Sequence, residues 1–337
     1  MCSLSLTGPP LRCGPLTRSL AIRGLPDMFR YVDGIDKYID ERRMEVIRKN
    51  NNRIINIRTL LPTFGKSELV KLLTSKYLEV VEKCSIEIYE KPDSTISLIS
   101  NLRFLFETCI TTRLLTSEEN FKYKVRYSIY KHQLDKANSH IKYSKLDFDL
   151  ISTVSSKEKE LHEKLDKSNS EKIFAEVDQL YDELGEEISI LLDQAEFNGA
   201  DYHKEVVNRY IDSQIERKNK ISKEWEEKKK LLLADSEACA LFDFRNQISK
   251  VESELKDTRS WKQKAKDVGL SELYEFIYDY TSALMHSTSY AVLTPKQLDI
   301  SEITMILSLA TRLNCDILRK LKSFSGVPNM KVLHVDG

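Results

Sequence analysis

Tyr274, Tyr278, Ser282 and His286 follow one another at four-residue steps between Leu273 and His286. That spacing lines them along one flank of a helix whose apolar side carries Ile277, Leu284 and Met285. Polar groups beside a core need partners, because a buried hydroxyl or imidazole left unpaired costs about 1–3 kcal/mol. Arg103 and Glu107, one helical turn apart in another apolar stretch, carry the complementary charge. Two kinds of behaviour follow from such a set. In metal-independent RNA cleavage the ribose 2′-hydroxyl attacks its own phosphate, a histidine shuttles protons and an arginine stabilises charge growing on the phosphoryl oxygens. His286 and Arg103 could take those catalytic roles, with Glu107, Tyr274, Tyr278 and Ser282 in support. Alternatively, the same residues form a buried network that fixes helix register and does no chemistry. The residues favour the second reading, since a lone histidine is more often satisfied than catalytic.

A second candidate lies between Phe121 and Lys145, where basic and aromatic residues alternate. Lys122, Lys124, Arg126, Tyr127, Lys131 and His132 form its centre, with Tyr123, Tyr130, Lys136, Lys142 and Tyr143 around them and Asp135 as the one acid. Cations track phosphates and aromatic faces stack on bases, so this is the strongest nucleic-acid candidate, with RNA as the partner it would suit. The plainer account is a solvated helix face, with charged heads on buried stems.

Several chemistries are excluded. The chain has no Gly-rich phosphate loop, no His-Glu-x-x-His and no serine elbow. Its other histidines are isolated and Glu-x-x-His repeats are absent, so neither a metal nor a cofactor is expected. Lys plus Arg equals Asp plus Glu at 52 each among 337 residues. No overall field therefore drives the protein onto nucleic acid or an anionic membrane. No apolar run approaches the roughly 20 residues that span a bilayer, which predicts a soluble protein. The six cysteines are far apart with no zinc-type pairing, which predicts reduced thiols in a cytoplasm.

The elements that must position these residues read as helix after helix. Gly and Pro are few, at ten and eight, and several fall in the first 26 residues. Residues 1–27 therefore read as a disordered leader or a mis-assigned start, with Met28 just before the first helical pattern. Residues 28–150 read as the N-terminal half of a helical bundle. Within it Thr95 to Leu115 is apolar on nearly every side, so Arg103 is expected in mid-core. Residues 151–258 read as a long charged helical hairpin, its apolar steps running from Ile173 to Leu191 and, after Asn198-Gly199, from Val207 to Trp225. The hairpin over 170–254 is expected to mediate self-association or to bind a protein partner through Leu180, Leu184, Leu191 and Trp225. Residues 259–325 complete the bundle: Val268-Gly269-Leu270 marks a turn, Asp299 with Glu302 a capping box, and Gly326 with Pro328 the stop before a tail over 326–337. The fold class is all-α, a multi-helix bundle with a long charged hairpin.

Asn101 to Glu107 in an apolar helix, followed much later by Trp261, Tyr274, Tyr278 to Ser282 and His286-Ser287, resembles the mostly bacterial family catalogued as domain of unknown function 5677. The resemblance extends over roughly residues 35 to 325, with the charged part around 155 to 250 the least comparable. It implies an all-helical bundle and says little about activity. Arg126 and His132 also resemble the arginine–histidine pair of HEPN ribonucleases, which would imply RNA cleavage in bacterial defence or a toxin. Tyr127 stands where that family usually has a polar residue. On one continuous helix the two side chains would point about 120° apart, so they could converge only across a dimer or a broken helix.

Overall fold

Between Phe121 and Glu163 the chain has neither proline nor glycine, and it forms one continuous helix of 43 residues. The same scarcity of breakers gives long helices elsewhere. The computed structural model describes residues 32–90, 94–187, 199–244, 247–285 and 298–328. In these residues there are eleven helices and no strand: α1 Val32–Phe64, α2 Glu68–Glu90, α3 Thr95–Ser117, α4 Phe121–Glu163, α5 Ser170–Glu187, α6 Ala200–Ala234, α7 Ser236–Leu241, α8 Ile248–Leu255, α9 Trp261–Asp267, α10 Ser271–Met285 and α11 Ile300–Ser325. The protein is all-α. It divides into two units, one of residues 1–116 with 261–337 and one of 117–260.

In the first unit α2, α3 and α11 bury continuous apolar stripes. Leu78, Val81 and Ile88 on α2, Leu98, Leu102 and Leu105 on α3, and Ile306, Ala310 and Ile317 on α11 are all sealed from solvent. Polar pins set the register of α2 against α11, because a buried donor must find its acceptor. Asn314 Nδ2 donates to Ser85 Oγ at 3.1 Å, and the Tyr89 and Thr311 hydroxyls meet at 2.6 Å. The Asp299–Glu302 capping box opens α11 as its spacing predicts, and Gly326, at φ 79°, closes it in the left-handed conformation that glycine adopts without strain.

The second unit is built on an antiparallel pair. Glu158, near the end of α4, accepts from the Ala200 amide at the start of α6 at 3.2 Å, while Tyr127 and Tyr130, near the start of α4, pack their rings on Trp225 towards the end of α6. The seam on α4 steps by four and three through Tyr123, Tyr127, Tyr130, Leu134, Ala137, Ile141, Ser144, Phe148, Ile151 and Ser155, every one buried or half-buried. That is a coiled-coil repeat. On α6 the facing buried residues are Ala200, His203, Val207, Ile211, Ile221, Trp225, Lys229 and Leu232. Tyr181 of α5 donates to Glu158 at 3.1 Å, and Glu252 of α8 accepts from Trp225 Nε1 and Lys229 Nζ, each at 3.0 Å. Arg259 pairs with Glu118 through both terminal nitrogens at 2.6 and 3.0 Å, joining the two chain ends of this unit.

Two expectations change here. The helix that pairs with 200–234 along its length is 121–163, and the described residues Ser170–Glu187 form a further helix beside it. The division between units accordingly falls at 116/117, where the sequence suggested 150/151, a cut that would sever α4. The cause is the α4 seam. Its tyrosines, serines and alanine read as a basic solvated face until the partner helix covers them.

Candidate functional site

Helix α3 is anchored by Leu98, Leu102, Leu105 and Phe106, which leaves a half-open flank bearing Arg103 and Glu107. Their side chains are 29% and 28% exposed, and Arg103 Nε donates to Glu107 Oε1 at 3.3 Å across one turn. Helix α10 begins just after Gly269, whose φ of 70° makes the predicted turn. It buries Ile277 and Thr281, the Thr281 hydroxyl donating back to the Ile277 carbonyl at 2.7 Å. With those residues inward, the flank at 274 and 278 meets α3. The Arg103 guanidinium carbon lies 4.7 Å from the centre of the Tyr278 ring. The Tyr274 and Tyr278 rings stack at 5.3 Å, and Phe106 lies 6.3 Å from Tyr274. Burial, with Tyr278 adding to it, pushes the Tyr274 phenol above its ordinary range, while Arg103 opposes the shift.

Four of the six residues singled out by spacing are thus in one cluster. Ser282 is half-buried on the same flank, and His286 lies outside the described residues. The expected mid-core position of Arg103 is corrected: Ile96 and Phe104 on the same helix are exposed, so α3 is not apolar-covered all round and the guanidinium reaches solvent. Nε is bonded to Glu107; among the described residues neither terminal nitrogen has a hydrogen-bond partner. A guanidinium has five N–H donors, so most of this one's capacity is open.

The basic and aromatic run is placed differently from its nucleic-acid reading. Lys122 is buried and ion-paired with Glu237, and the Tyr123 hydroxyl donates to the same carboxylate at 3.1 Å. Tyr127 turns its face to Trp225, and Lys131 is paired with Asp135 at 2.5 Å. Lys124 and Arg126 are half-buried and His132 is exposed. Tyr123, Tyr127 and Tyr130 are taken up in ring packing within the unit, whereas Tyr143 is exposed. Arg126 and His132 sit on one unbroken helix, so a break does not bring them together. Trp225 is likewise buried, which removes it from the expected self-association surface; Leu180 is half-buried, Leu191 lies outside the described residues, and so does the side chain of Leu184.

A tighter ionic node was missed. Asp316 of α11 accepts from Arg113 Nε at 2.6 Å, from Arg319 at 2.5 Å and from the Cys109 thiol at 3.3 Å, while Arg113 also donates to the Val268 carbonyl at 3.0 Å. Burial alone would raise the Asp316 carboxyl, yet the three donors outweigh it and hold it below the usual carboxylate range. Burial, with Asp316 adding to it, pushes the Cys109 thiol up to about 12, which makes it a poor nucleophile. The available signal was Arg113 itself, a second arginine in an apolar helix that had to find a carboxylate. Among the described residues no group of three His, Cys, Asp or Glu is placed to hold a metal ion, and no helix is long and apolar enough to cross a membrane.

No curated protein and no solved structure matches the chain. A family model does match, over residues 195–295, and its description is "Family of unknown function (DUF5677)". The match takes in α6 to α10, with Tyr274, Tyr278 and Ser282, and leaves Arg103 and Glu107 outside. It therefore includes much of the stretch that the sequence marked as least comparable, and it is far shorter than 35 to 325. The chain carries the pattern of that family of unknown function over residues 195–295.

Proposed function

We propose that the protein is a helical binding or regulatory module in which Arg103, steadied by Glu107 and Tyr278, receives an anionic group of its partner. One observation carries this reading: the guanidinium is held in place through Nε and the Tyr278 face, while its two terminal nitrogens have no partner among the described residues. Planar paired donors suit a carboxylate or a phosphate, which they can grip in bidentate fashion. Isothermal titration of inorganic phosphate into the full chain tests it. Saturable heat lost in Arg103→Ala is expected, and equal heat from both proteins would contradict it. The segment 170–254 supplies the contact with a protein partner or a second copy, and the free cysteines Cys84, Cys109, Cys239 and Cys315 suit a reducing cytoplasm.

A second reading, a HEPN-like metal-independent ribonuclease of a defence or toxin system, is supported by the same openness at Arg103, since a sealed cluster would exclude substrate. It requires His286 as the proton shuttle. RNA cleavage in excess chelator that is lost with His286→Ala would favour it over the binding module. DNA should then be spared for want of a 2′-hydroxyl.

A further inference from the structure

We infer that helix α6 carries a two-fold self-pairing surface centred on Val206, through which two copies of the chain associate. The inference rests on the reading that the helices between 170 and 254 supply a protein contact, and it commits that contact to a second copy. Tyr202, Val206 and Tyr210 stand at four-residue steps and are 54%, 40% and 41% exposed, although Ala200, His203, Val207 and Ile211 on the same helix are buried against α4. Of the three, Tyr210 also reaches across to His140 of α4, yet all three leave large parts of their side chains open on a helix that is already paired. The Tyr210 ring is also held in place, its hydroxyl 2.6 Å from His140 Nδ1 of α4. A ring fixed in advance loses less freedom on docking.

The exposed ridge around Val206 reads the same in both directions. Tyr202 and Tyr210 lie four residues on either side. Glu205 and Arg209, both largely exposed and paired with each other at 3.0 Å, lie on one side of the ridge. An antiparallel copy related by a two-fold axis passing beside Val206 therefore sets Tyr202 against the other Tyr210 and Val206 against its own equivalent. On the flank Glu205 and the other Arg209 are two residues, about 3 Å, from strict register, an offset that their long side chains can span, twice. Self-complementarity of this kind is what an isologous interface requires, and it is the charge pattern that selects a second copy over an unrelated helix. Ridges made of four-residue steps interlock at a steep crossing angle, so the contact is confined to a few turns and the pairing is of the weak class.

Sedimentation equilibrium of the full chain should show mass rising towards twice that of the monomer as concentration approaches about 10⁻⁴ M. Val206→Glu should weaken association at least tenfold with the circular dichroism unchanged. Glu205→Arg should weaken it too, and adding Arg209→Glu to that variant should restore it. Val206→Cys, beside the axis, should form a disulfide-linked dimer on mild oxidation that the parent protein does not form. That reading stays available if Val206→Glu fails to fold. A chain that remains monomeric over this range, or a dimer indifferent to both the Val206 and the Glu205 changes, overturns the inference. Neither result bears on Arg103, whose phosphate titration is read separately.

Discussion

Arg113 Nε and Asp316 Oδ2 are 2.6 Å apart, and the carboxylate they share with Arg319 and Cys109 ties α3 to α11 inside the first unit. Asp316 is nearly buried, at 11% exposure, so removing one partner strands a charge in the interior. Arg113→Met is expected to cost about 3–5 kcal/mol, read as a fall in the midpoint of denaturant unfolding. A loss near zero would mean that the pair is solvated.

The same carboxylate gives a pH dependence with a definite sign. Its pKa is depressed in the folded state, so its contribution is full above the unfolded value, about 3.9 for Asp, and is lost as pH falls through the folded value. The stability gap between the parent protein and Asp316→Asn should be constant at neutral pH and narrow steadily below about pH 4. Unfolding curves collected from pH 7 to pH 2.5 check this, and a gap that widens towards acid would have the wrong sign.

Arg103 should behave differently from Arg113. Its pair with Glu107 is partly exposed and lies within one helix, a setting in which ion pairs contribute about 0.3–0.5 kcal/mol. Arg103→Ala, which also gives up the contact with Tyr278, is expected to cost no more than about 1–1.5 kcal/mol. A thermal unfolding shift as large as that of Arg113→Met would place Arg103 in the core after all.

Trp225 joins three elements of the second unit, packing on Tyr127 and Tyr130 of α4 and donating to Glu252 of α8. Trp225→Ala removes a large buried ring and should destabilise that unit by about 3–5 kcal/mol. Hydrogen exchange of α4 and α6 amides is the check: protection should drop there first. Uniform protection across the protein would show that Trp225 is not a keystone of the unit.

Much of this architecture could be read from residue patterns. The Asp299 capping box, the Gly269 turn and the Gly326 stop are local signals, each decided by the chemistry of a few neighbours, and all three hold. The cluster at Arg103 was legible for a related reason: Tyr274 and Tyr278 share a flank at four-residue spacing, and a charged pair in an apolar helix has to be answered. The pairing of α4 with α6 was not legible, because Ala137 and Ser144 are neither apolar enough to announce a seam nor polar enough to deny one. Only contact over many turns makes those positions interior. The Asp316 node was not legible for a similar reason: its pair with Arg319 is local, but Cys109 and Arg113 lie some 200 residues away, and no local rule links positions so far apart.

The account turns on whether the open end of the Arg103 guanidinium receives an anion. The direct measurement is the arginine Nε–Hε region of a nitrogen-15 correlation spectrum of the full chain, with the Arg103 signal assigned by its loss in Arg103→Lys, recorded while inorganic phosphate is added at constant ionic strength. The account predicts that this signal shifts saturably, and that the shift is diminished in Tyr278→Ala, where the stacking face is gone. A signal that stays in place, or that moves linearly with phosphate together with the other arginines, would contradict it.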